Sequence, residues 1–333
     1  MSIKIGLIGA GRIGKVHAES IMTRVENSEL LMVADVFLES ANKLGEKYGI
    51  AATADYRDIL NNENIDAVAI CSSTDTHAQI IMESAAAGKH IFCEKPIDHS
   101  LAKIDAALTA VSQANVQLMV GFNRRFDPNF RKVKEMVDAG KVGQPHILKI
   151  TSRDPSPPPI EYIKVSGGLF LDMTIHDFDM AQFLMGEVEE VYATGGVLID
   201  TAIGEAGDID TAVITLKFSS GAVGVIDNSR QASYGYDQRV EVFGDKGMVE
   251  VSNDLPSTAV YSHAGGVVAE KPLHFFLERY MDAYAEEMRQ FVEAIANGKP
   301  VPVNGEDGRA PVVMSLAAWK SYKENRPVKL SEI

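Results

Sequence analysis

The feature that most constrains this chain is a glycine-rich turn between an apolar run and a helical segment. Residues 3–8 form a short apolar run, and residues 12–24 have the composition of a helix. Glycines spaced as G-x-G-x-x-G allow a tight turn, close approach of a phosphate to the backbone, and close packing of the helix on the strand. We therefore expect a pyrophosphate to bind at the N-terminus of this helix. The residues that match this spacing are Gly9, Ala10, Gly11, Arg12, Ile13 and Gly14.

An aspartate follows the second apolar run, 30–34. Asp35 lies 35 − 14 = 21 residues beyond the last glycine, where a dinucleotide-binding unit carries the carboxylate that binds the ribose hydroxyls. Its charge would repel a 2′-phosphate, and positions 36–38 contain no Arg or Lys. The sequence therefore favours NAD over NADP. The alternative is a plain glycine turn with a solvated aspartate, which the complete strand–turn–helix–strand setting makes the weaker interpretation.

Short strands and helices continue to alternate up to about residue 122. Strands separated by helices of roughly 10 to 15 residues imply a parallel sheet covered on both faces, so we expect an α/β Rossmann domain over 1–121. Residues that follow its strands lie at the carboxyl edge, where a dinucleotide binds. Further strands are predicted at 52–53, 65–71, 90–93 and 116–122, with helices at 38–48, 76–87 and 100–114. The expected additional cofactor-binding residues are Ser72, Ser73, Thr74, His77, Glu94 and Lys95.

The pattern changes after this first domain. A proline-rich loop at 154–159 cannot be regular helix or central strand. We expect 122–333 to form an α+β domain with a large, mainly antiparallel sheet. Helices are predicted near 130–139, 172–185, 274–297 and 309–323, and strands near 146–152, 188–195, 210–218, 222–229, 236–244 and 247–252.

The charge and cysteine content limit the partners of the chain. Lys and Arg number 32 against 46 Asp and Glu, a net charge of −14, which disfavours nucleic acid and anionic membrane surfaces. No apolar stretch approaches the ~18 residues of a membrane span. The only cysteines, Cys71 and Cys93, end apolar runs and suggest buried thiols in a reducing compartment. We expect a cytoplasmic protein.

A second group of polar residues lies in the predicted helix 172–185. Spacings of 176 − 172 = 4 and 179 − 176 = 3 place Asp172, His176 and Asp179 on one helix face. A carboxylate beside the imidazole suits a general base that removes a hydroxyl proton. Two other roles stay open: Asp172 complementing the helix N-terminus, and Asp179 as a solvated residue. A metal site ranks lower because a hydride-accepting cofactor already supplies the electron sink, so we expect no metal.

Three motifs are spread along the chain: the glycine fingerprint, Glu94-Lys95-Pro96, and Gly167-Gly168 followed by Asp172-x-x-x-His176. Together they resemble the glucose-fructose oxidoreductase, inositol dehydrogenase and rhizopine catabolism family (Gfo/Idh/MocA) over the whole chain. Within this family, the segments 153–168 and 172–179 are similar to inositol 2-dehydrogenases.

The resemblance implies roles for individual residues. Lys95, Asp172 and His176 match the catalytic lysine, aspartate and histidine of the family, and Lys95-Pro96 matches a peptide that is often cis there. The resemblance also implies that 122–333 is the domain for substrate binding and oligomerisation, with a large open sheet and with C-terminal helices that pack back on the Rossmann domain. A homotetramer built through the open sheet is implied too, with the active site in the crevice between the domains. Residues expected to bind the substrate are Lys95, Asn123, Arg125, Arg153, Asp154, Asp172, His176 and Tyr236.

The expected reaction is NAD-dependent oxidation of one secondary alcohol of a cyclic polyol, with myo-inositol giving scyllo-inosose. His176 would take the hydroxyl proton, helped by Asp172 and Lys95. Three alternatives stay open: a family dehydrogenase for scyllo-inositol, an aldose or another polyol; a non-catalytic NAD-binding regulatory protein; and a metal-dependent lyase or isomerase built on Asp172, His176 and Asp179.

Overall fold

A computed structural model describes residues 2–333. Strands and helices alternate along the first part of the chain, as the sequence predicts. Their bounds are β1 Ile3–Ile8, α1 Arg12–Thr23, β2 Ser28–Ala34, α2 Leu38–Tyr48, β3 Ala51–Thr53, α3 Arg57–Leu60, β4 Ala67–Ile70, α4 Thr74–Ala86, β5 His90–Glu94, α5 Leu101–Ala114 and β6 Leu118–Gly121.

The rest of the chain begins with a 3₁₀ helix, Asn123–Phe126, and includes a π-helical turn, Phe170–Thr174. The other elements are α6 Pro128–Asp138, β7 Pro145–Arg153, α7 Ile160–Ile163, α8 Ile175–Met185, β8 Val188–Gly196, α9 Thr201–Glu205, β9 Thr211–Phe218, β10 Val223–Ser229, β11 Asp237–Gly244, β12 Gly247–Val251, β13 Val260–His263, β14 Gly266–Ala269, α10 Phe276–Arg279, α11 Met281–Ala296, α12 Gly305–Glu324, β15 Val328–Lys329 and a final 3₁₀ helix, Leu330–Glu332.

The first sheet is parallel and has the strand order β3-β2-β1-β4-β5-β6. β1 pairs with β2 on one side and with β4 on the other, with Leu7 opposite both Val33 and Ala69. The strand order reverses between β1 and β4, which is where an open α/β sheet leaves a crevice for a ligand. All residues of β4 and β6 are buried because helices cover both faces.

The second sheet has seven strands in the order β12-β11-β7-β10-β9-β8-β15. Every neighbouring pair is antiparallel except β7 with β10, so the prediction of a mainly antiparallel sheet is confirmed. Side chains alternate along its strands: in β9, Ala212, Ile214, Leu216 and Phe218 are buried while their neighbours face outward. α8 packs against β7, and α6 packs against β11 and β12.

The chain forms two compact units. The first comprises Met1–Phe126 and Asp282–Val312, and the second comprises Asp127–Met281 and Val313–Ile333. The first unit thus contains nearly all of α11, whose Phe291 ring lies edge-on to Phe92 of β5 at 5.8 Å. The division of labour predicted for 1–121 and 122–333, cofactor in one and substrate in the other, stays a prediction.

Several local expectations needed correction. The helix predicted over 172–185 begins as a π-helical turn and becomes α-helical only at Ile175. The helix predicted over 274–297 is two helices, α10 and α11. The sequence pattern also missed the short elements α3, α7, α9, β13, β14 and β15.

Candidate active site

The glycine turn of the first unit is closed on one side and open on the other. Gly9 has a φ of +102°, and a Cβ there would overlap the carbonyl group of Cys71. A Cβ at Gly14 would overlap the Gly9 carbonyl oxygen. Gly11 is exposed instead, and a Cβ there would meet no other atom within 4 Å. The open space over Gly11, beside the first amides of α1, fits a pyrophosphate.

Asp35 lies directly beside this turn. Its Oδ2 accepts the Ala10 N–H at 2.7 Å, and its Oδ1 accepts the Phe37 N–H at 2.8 Å. Each carboxylate oxygen keeps a lone pair for a further donor. The carboxylate is therefore oriented by the backbone and still able to accept hydrogen bonds from ribose hydroxyls.

The residues after β4 begin the next helix. Ser73 is exposed and precedes the first residue of α4, Thr74. The hydroxyl of Ser72 shares a hydrogen bond of 2.7 Å with that of Thr76, so this loop is tied to the first turn of α4. These residues therefore lie at the carboxyl edge of the sheet, where the sequence places them.

His77 connects this loop to the residues after β5. Its ring is 1% exposed, with Nδ1 2.8 Å from the Pro96 carbonyl oxygen and Nε2 3.1 Å from the Ser72 carbonyl oxygen. The Lys95–Pro96 peptide is cis, as the family resemblance implies. Because both ring nitrogens face protein carbonyls, His77 holds the two loops together, and the cofactor contact predicted for it stays a prediction.

Glu94 belongs to a buried cluster that the sequence reading did not identify. Its Oε1 lies 2.6 Å from Nε2 of His17, and its Oε2 accepts the Lys95 N–H at 3.3 Å. Glu287, on α11, places Oε1 4.0 Å from the same His17 nitrogen and is fully buried. Burial raises the pKa of Glu287 well above its usual range, and the nearby charge of Glu94 raises it further.

A signal for this cluster was present in the sequence. His17 shares its helix face with the apolar positions Gly14 and Ile21, and Glu287 lies within the apolar stripe that includes Tyr284 and Phe291. A titratable group inside an apolar stripe indicates burial with a partner.

Two of the predicted substrate-binding residues follow β6. Asn123 is 3% exposed and lies in the 3₁₀ helix. Arg125 is also largely buried, and its Nη1 donates to Oδ1 of Asp307 at 3.2 Å, near the start of α12. This ion pair positions the guanidinium at the end of the first sheet, and its contact with substrate stays a prediction.

In the second unit, Asp172 lies within the π-helical turn and His176 lies in the first turn of α8. Both are partly exposed. π-helical turns occur frequently at functional sites because the extra residue displaces side chains from the regular helical positions. Oδ1 of Asp172 accepts the Tyr162 hydroxyl at 2.8 Å, and its Oδ2 accepts from Nη1 of Arg230 at 3.1 Å.

The two aspartates of α8 are buried. Asp177 and Asp179 are both 0% exposed, so the interpretation of Asp179 as a solvated residue is wrong. Oδ2 of Asp177 accepts from Nδ2 of Asn228 on β10 at 2.9 Å, which fixes the start of α8 against the inner face of the sheet. Along the chain, the partly exposed His176 therefore lies between Asp172 and Asp177, whose carboxylates are both held by hydrogen bonds.

The remaining predicted residues lie at the ends of β7 and β11. Arg153 donates from Nε to Asp227 at 2.6 Å and from Nη1 to the Tyr234 hydroxyl at 3.1 Å. The hydrogen bond to Asp227 raises the pKa of Arg153, so the guanidinium is a fixed positive charge. Next to it, Asp154 donates its N–H to the Ser229 carbonyl oxygen at 2.9 Å.

Tyr236 is 7% exposed and lies in an aromatic cluster. Its ring is 5.4 Å from that of Phe275 and 6.0 Å from that of Tyr280, both edge-on. Such edge-to-face contacts favour a fixed ring position. A substrate contact for Tyr236 stays a prediction.

Within residues 2–333, the group of side chains that could converge on a metal ion is His17, Glu94 and Glu287, and it includes none of Asp172, His176 and Asp179. No helix within that range is long and apolar enough to cross a membrane. Cys71 and Cys93 are free and buried, and burial raises the pKa of both thiols, as expected for structural cysteines.

The parallel sheet, the open glycine turn and the carboxylate that follows β2 define a dinucleotide-binding Rossmann domain. A model of the oxidoreductase family with an NAD-binding Rossmann fold matches residues 3–122, and a model of the GFO/IDH/MocA C-terminal domain matches residues 130–250. The chain belongs to the Gfo/Idh/MocA family.

Individual members of the family are similar over their full length. A myo-inositol 2-dehydrogenase of Thermotoga maritima is 50% identical over 99% of both chains. The crystal structure of a myo-inositol dehydrogenase from Corynebacterium glutamicum has a TM-score of 0.95 at 40% identity, covering 99% of both chains. That of scyllo-inositol dehydrogenase from Lactobacillus casei, with bound NAD(H) and scyllo-inositol, has a TM-score of 0.92 at 30% identity, covering 99% of this chain and all of that one.

Proposed function

We propose that the protein oxidises one secondary alcohol of an inositol with NAD, and that myo-inositol, giving scyllo-inosose, is its substrate. The observation that carries the proposal is the partly exposed Asp172–His176 pair in an enzyme of this family. The 50% identity to a myo-inositol 2-dehydrogenase supports the choice of myo-inositol over scyllo-inositol, since scyllo-inositol dehydrogenases of Lactobacillus casei and Bacillus subtilis are 30% and 35% identical.

The cofactor is held by the glycine turn and by Asp35. The turn leaves open space over Gly11 at the N-terminus of α1, where a pyrophosphate would bind, and the Asp35 carboxylate would accept from ribose hydroxyls. When bound, NAD supplies the hydride acceptor that the side chains of the protein lack.

The chain itself supplies proton transfer and orientation. His176 takes the hydroxyl proton as general base, and Asp172 orients the imidazole and stabilises its protonated form. Lys95 donates a hydrogen bond to the same oxygen and favours alkoxide character at the carbon that is oxidised. The other hydroxyls of the ring would be bound by Arg153, with its fixed charge, and by Asp154, Asn123, Arg125 and Tyr236.

A substrate panel tests the proposed activity. The wild-type protein is assayed for NADH formation with myo-inositol, scyllo-inositol, an aldose and a linear polyol. We expect the highest kcat/KM with myo-inositol. A preference for another compound assigns the protein to that substrate instead, and NAD binding with no turnover supports the regulatory alternative.

The role of His176 is tested by substitution. His176→Ala should lower kcat by roughly 10²- to 10⁴-fold, the usual contribution of a general base, while the NAD dissociation constant changes little. His146→Ala is the matched control because His146 is an exposed histidine on β7. Wild-type kcat in His176→Ala would contradict the mechanism.

We also propose that the protein is a homotetramer assembled through the outer face of the second sheet. That face exposes apolar side chains from four strands, among them Val213, Val223, Phe243 and Met248. Light scattering should give the mass of four chains, and Phe243→Asp should reduce it. A monomer at micromolar concentration would contradict the proposal. A cytoplasmic location is a prediction that the two buried free cysteines support.

A further inference from the structure

Arg230 is a fully buried arginine at the end of β10. The inward-facing positions of this strand are Gly224, Ile226 and Asn228, all buried. Arg230 continues the same alternation one step beyond the strand and is 0% exposed. The inner face of the sheet therefore changes from apolar to polar along this strand, and the last two inward side chains are Asn228 and Arg230.

The guanidinium of Arg230 joins two carboxylates. Nη1 donates to Oδ2 of Asp172 at 3.1 Å, and Nη2 donates to Oδ2 of Asp208 at 3.2 Å. Oδ1 of Asp208 accepts the Leu169 N–H at 2.9 Å, just before the π-helical turn. Arg230 and Asp208 thus connect the sheet to both the start of that turn and to Asp172 within it.

Burying the Arg230 guanidinium between two carboxylates costs desolvation free energy. Burial alone would lower the pKa of Arg230, but the charges of Asp172 and Asp208 outweigh it and raise the pKa. Burial also raises the pKa of Asp208 despite its hydrogen bonds. A buried ion pair contributes little net stability compared with well-packed apolar side chains, so orientation is the better explanation for its presence.

The glycines before the turn make room for it. A Cβ at Gly168, which has a φ of +82°, would lie 2.8 Å from Oδ1 of Asp208 and 2.6 Å from Cζ2 of Trp319. Trp319 donates from Nε1 to the Gly167 carbonyl oxygen at 3.3 Å. Glycine at position 168 is therefore needed for Asp208 to reach the backbone and Arg230.

We propose that Arg230 is a positioning residue for the dehydrogenase reaction: its guanidinium fixes the Asp172 carboxylate for its work with His176, and Asp208 fixes the guanidinium. This inference rests on the proposed function. Arginine suits the position because its planar group donates to two carboxylates from two nitrogens at once, whereas a lysine presents a single ammonium group. Asn228, two residues earlier, holds Asp177 in the same way, so β10 anchors the residues on both sides of His176.

The test compares Arg230→Ala, Arg230→Lys and Asp208→Asn with the wild type on the best substrate of the panel. We expect kcat to fall by about 100-fold in Arg230→Ala, as for a catalytic group displaced by roughly 1 Å. Arg230→Lys and Asp208→Asn should show smaller losses. The dissociation constant of NAD should stay within about twofold, because the glycine turn and Asp35 belong to the first unit.

Chemical rescue separates orientation from a purely structural role. Methylguanidinium at millimolar concentration should restore part of kcat to Arg230→Ala by occupying the vacated space. Arg279→Ala is the matched control: Arg279 is also buried and ion-paired, with Asp127 and Asp254 in the same unit, and does not contact Asp172. Its kcat per folded molecule should stay near the wild-type value, with no effect of methylguanidinium.

Two results would overturn the inference. One is a kcat of Arg230→Ala within about twofold of an active wild type. The other is a loss of kcat that methylguanidinium does not restore, that Arg230→Lys does not reduce, and that follows the loss of thermal stability as in Arg279→Ala. A wild-type protein that oxidises no member of the panel would instead contradict the proposed function, and the inference would fall with it.

Discussion

Single residues of this protein have roles that depend on what surrounds them after folding. Glu287 shows this most clearly, because a glutamate on an amphipathic helix is ordinarily a solvated group. Here it is fully buried, near His17 and Glu94, and burial raises its pKa. Above its usual pKa near 4.5 the folded state therefore holds a proton that the unfolded chain releases.

This difference predicts a pH-dependent stability. The contribution of the Glu287 proton is fully present below about pH 4.5 and is lost as the pH rises from there through the raised pKa of the folded state. Glu287→Gln removes this dependence. The free energy of unfolding of the variant, relative to wild type, should therefore increase with pH, by at most about 1.4 kcal/mol per pH unit.

Urea unfolding at several pH values between about 5 and 8 measures this difference in the free energy of unfolding. Glu293→Gln on the same helix is the control, since Glu293 is 55% exposed and its difference from wild type should not follow the same trend. A difference for Glu287→Gln that is independent of pH would contradict the assignment of a bound proton to this carboxyl group.

Asp172 and His176 illustrate what can be predicted at the residue scale. Their spacing predicts a carboxylate and an imidazole on one helix face, and the structure places Asp172 in the π-helical turn and His176 in the first turn of α8, both partly exposed. Tyr162 and Arg230 could not be predicted as partners of Asp172, nor Asp208 as the second partner of Arg230, because these residues come from three other segments that only the tertiary fold brings together. The one local sequence signal for these contacts was the polar end of β10, at Asn228 and Arg230.

At the scale of elements, the strand–turn–helix unit at the N-terminus has different requirements at each glycine. Gly11 has a φ of −70° and open space where a Cβ would be. Gly14 packs against the backbone of Gly9. One position is therefore open for a ligand, while the other is needed by the fold itself.

Alanine at these two positions should therefore have different effects, one on NAD binding and the other on stability. Gly11→Ala should leave the stability of the cofactor-free protein within about 1 kcal/mol of wild type. It should weaken NAD binding by about tenfold or more, because the methyl group takes the space that a pyrophosphate approaches. Gly14→Ala should lower stability by about 1–3 kcal/mol through overpacking.

Titration with NAD, followed by fluorescence, and thermal unfolding measure the two effects separately. Gly196→Ala serves as the control for a glycine away from the predicted cofactor site, because its added Cβ would meet only the side chain of Leu198, at 4.0 Å, and its φ is not positive. Unchanged NAD affinity in Gly11→Ala would show that the pyrophosphate binds elsewhere.

Other elements differ in how well their sequence predicts them. The buried strands of the first sheet were located within a few residues because continuous apolar runs leave little choice. The hairpin of β13 and β14 was missed because all its residues are exposed, so it has no buried face to produce an alternating pattern. The π-helical turn was missed because it follows from the contacts of Asp172 and Leu169 rather than from helix propensity.

At the scale of the whole molecule, the chain does not divide at a single point. Asp282–Val312 joins the compact unit of residues 1–126 even though more than 150 residues separate them. The cluster of His17, Glu94 and Glu287 exists only because of this return. Changes in the local sequence pattern predict a single domain boundary. The packing of apolar helix faces, in contrast, decides which segments share one core.

The sequence by itself determined the parallel first sheet, the position of the glycine turn and Asp35, and the mainly antiparallel second sheet. These features depend on periodicity and on residue types at short spacing, which local physics dictates. Only the tertiary structure decided the burial of Asp179 and Glu287, the π-helical turn at Asp172 and the link from Arg230 to two carboxylates. Each of these depends on contacts between distant segments, whose energies a local pattern does not contain.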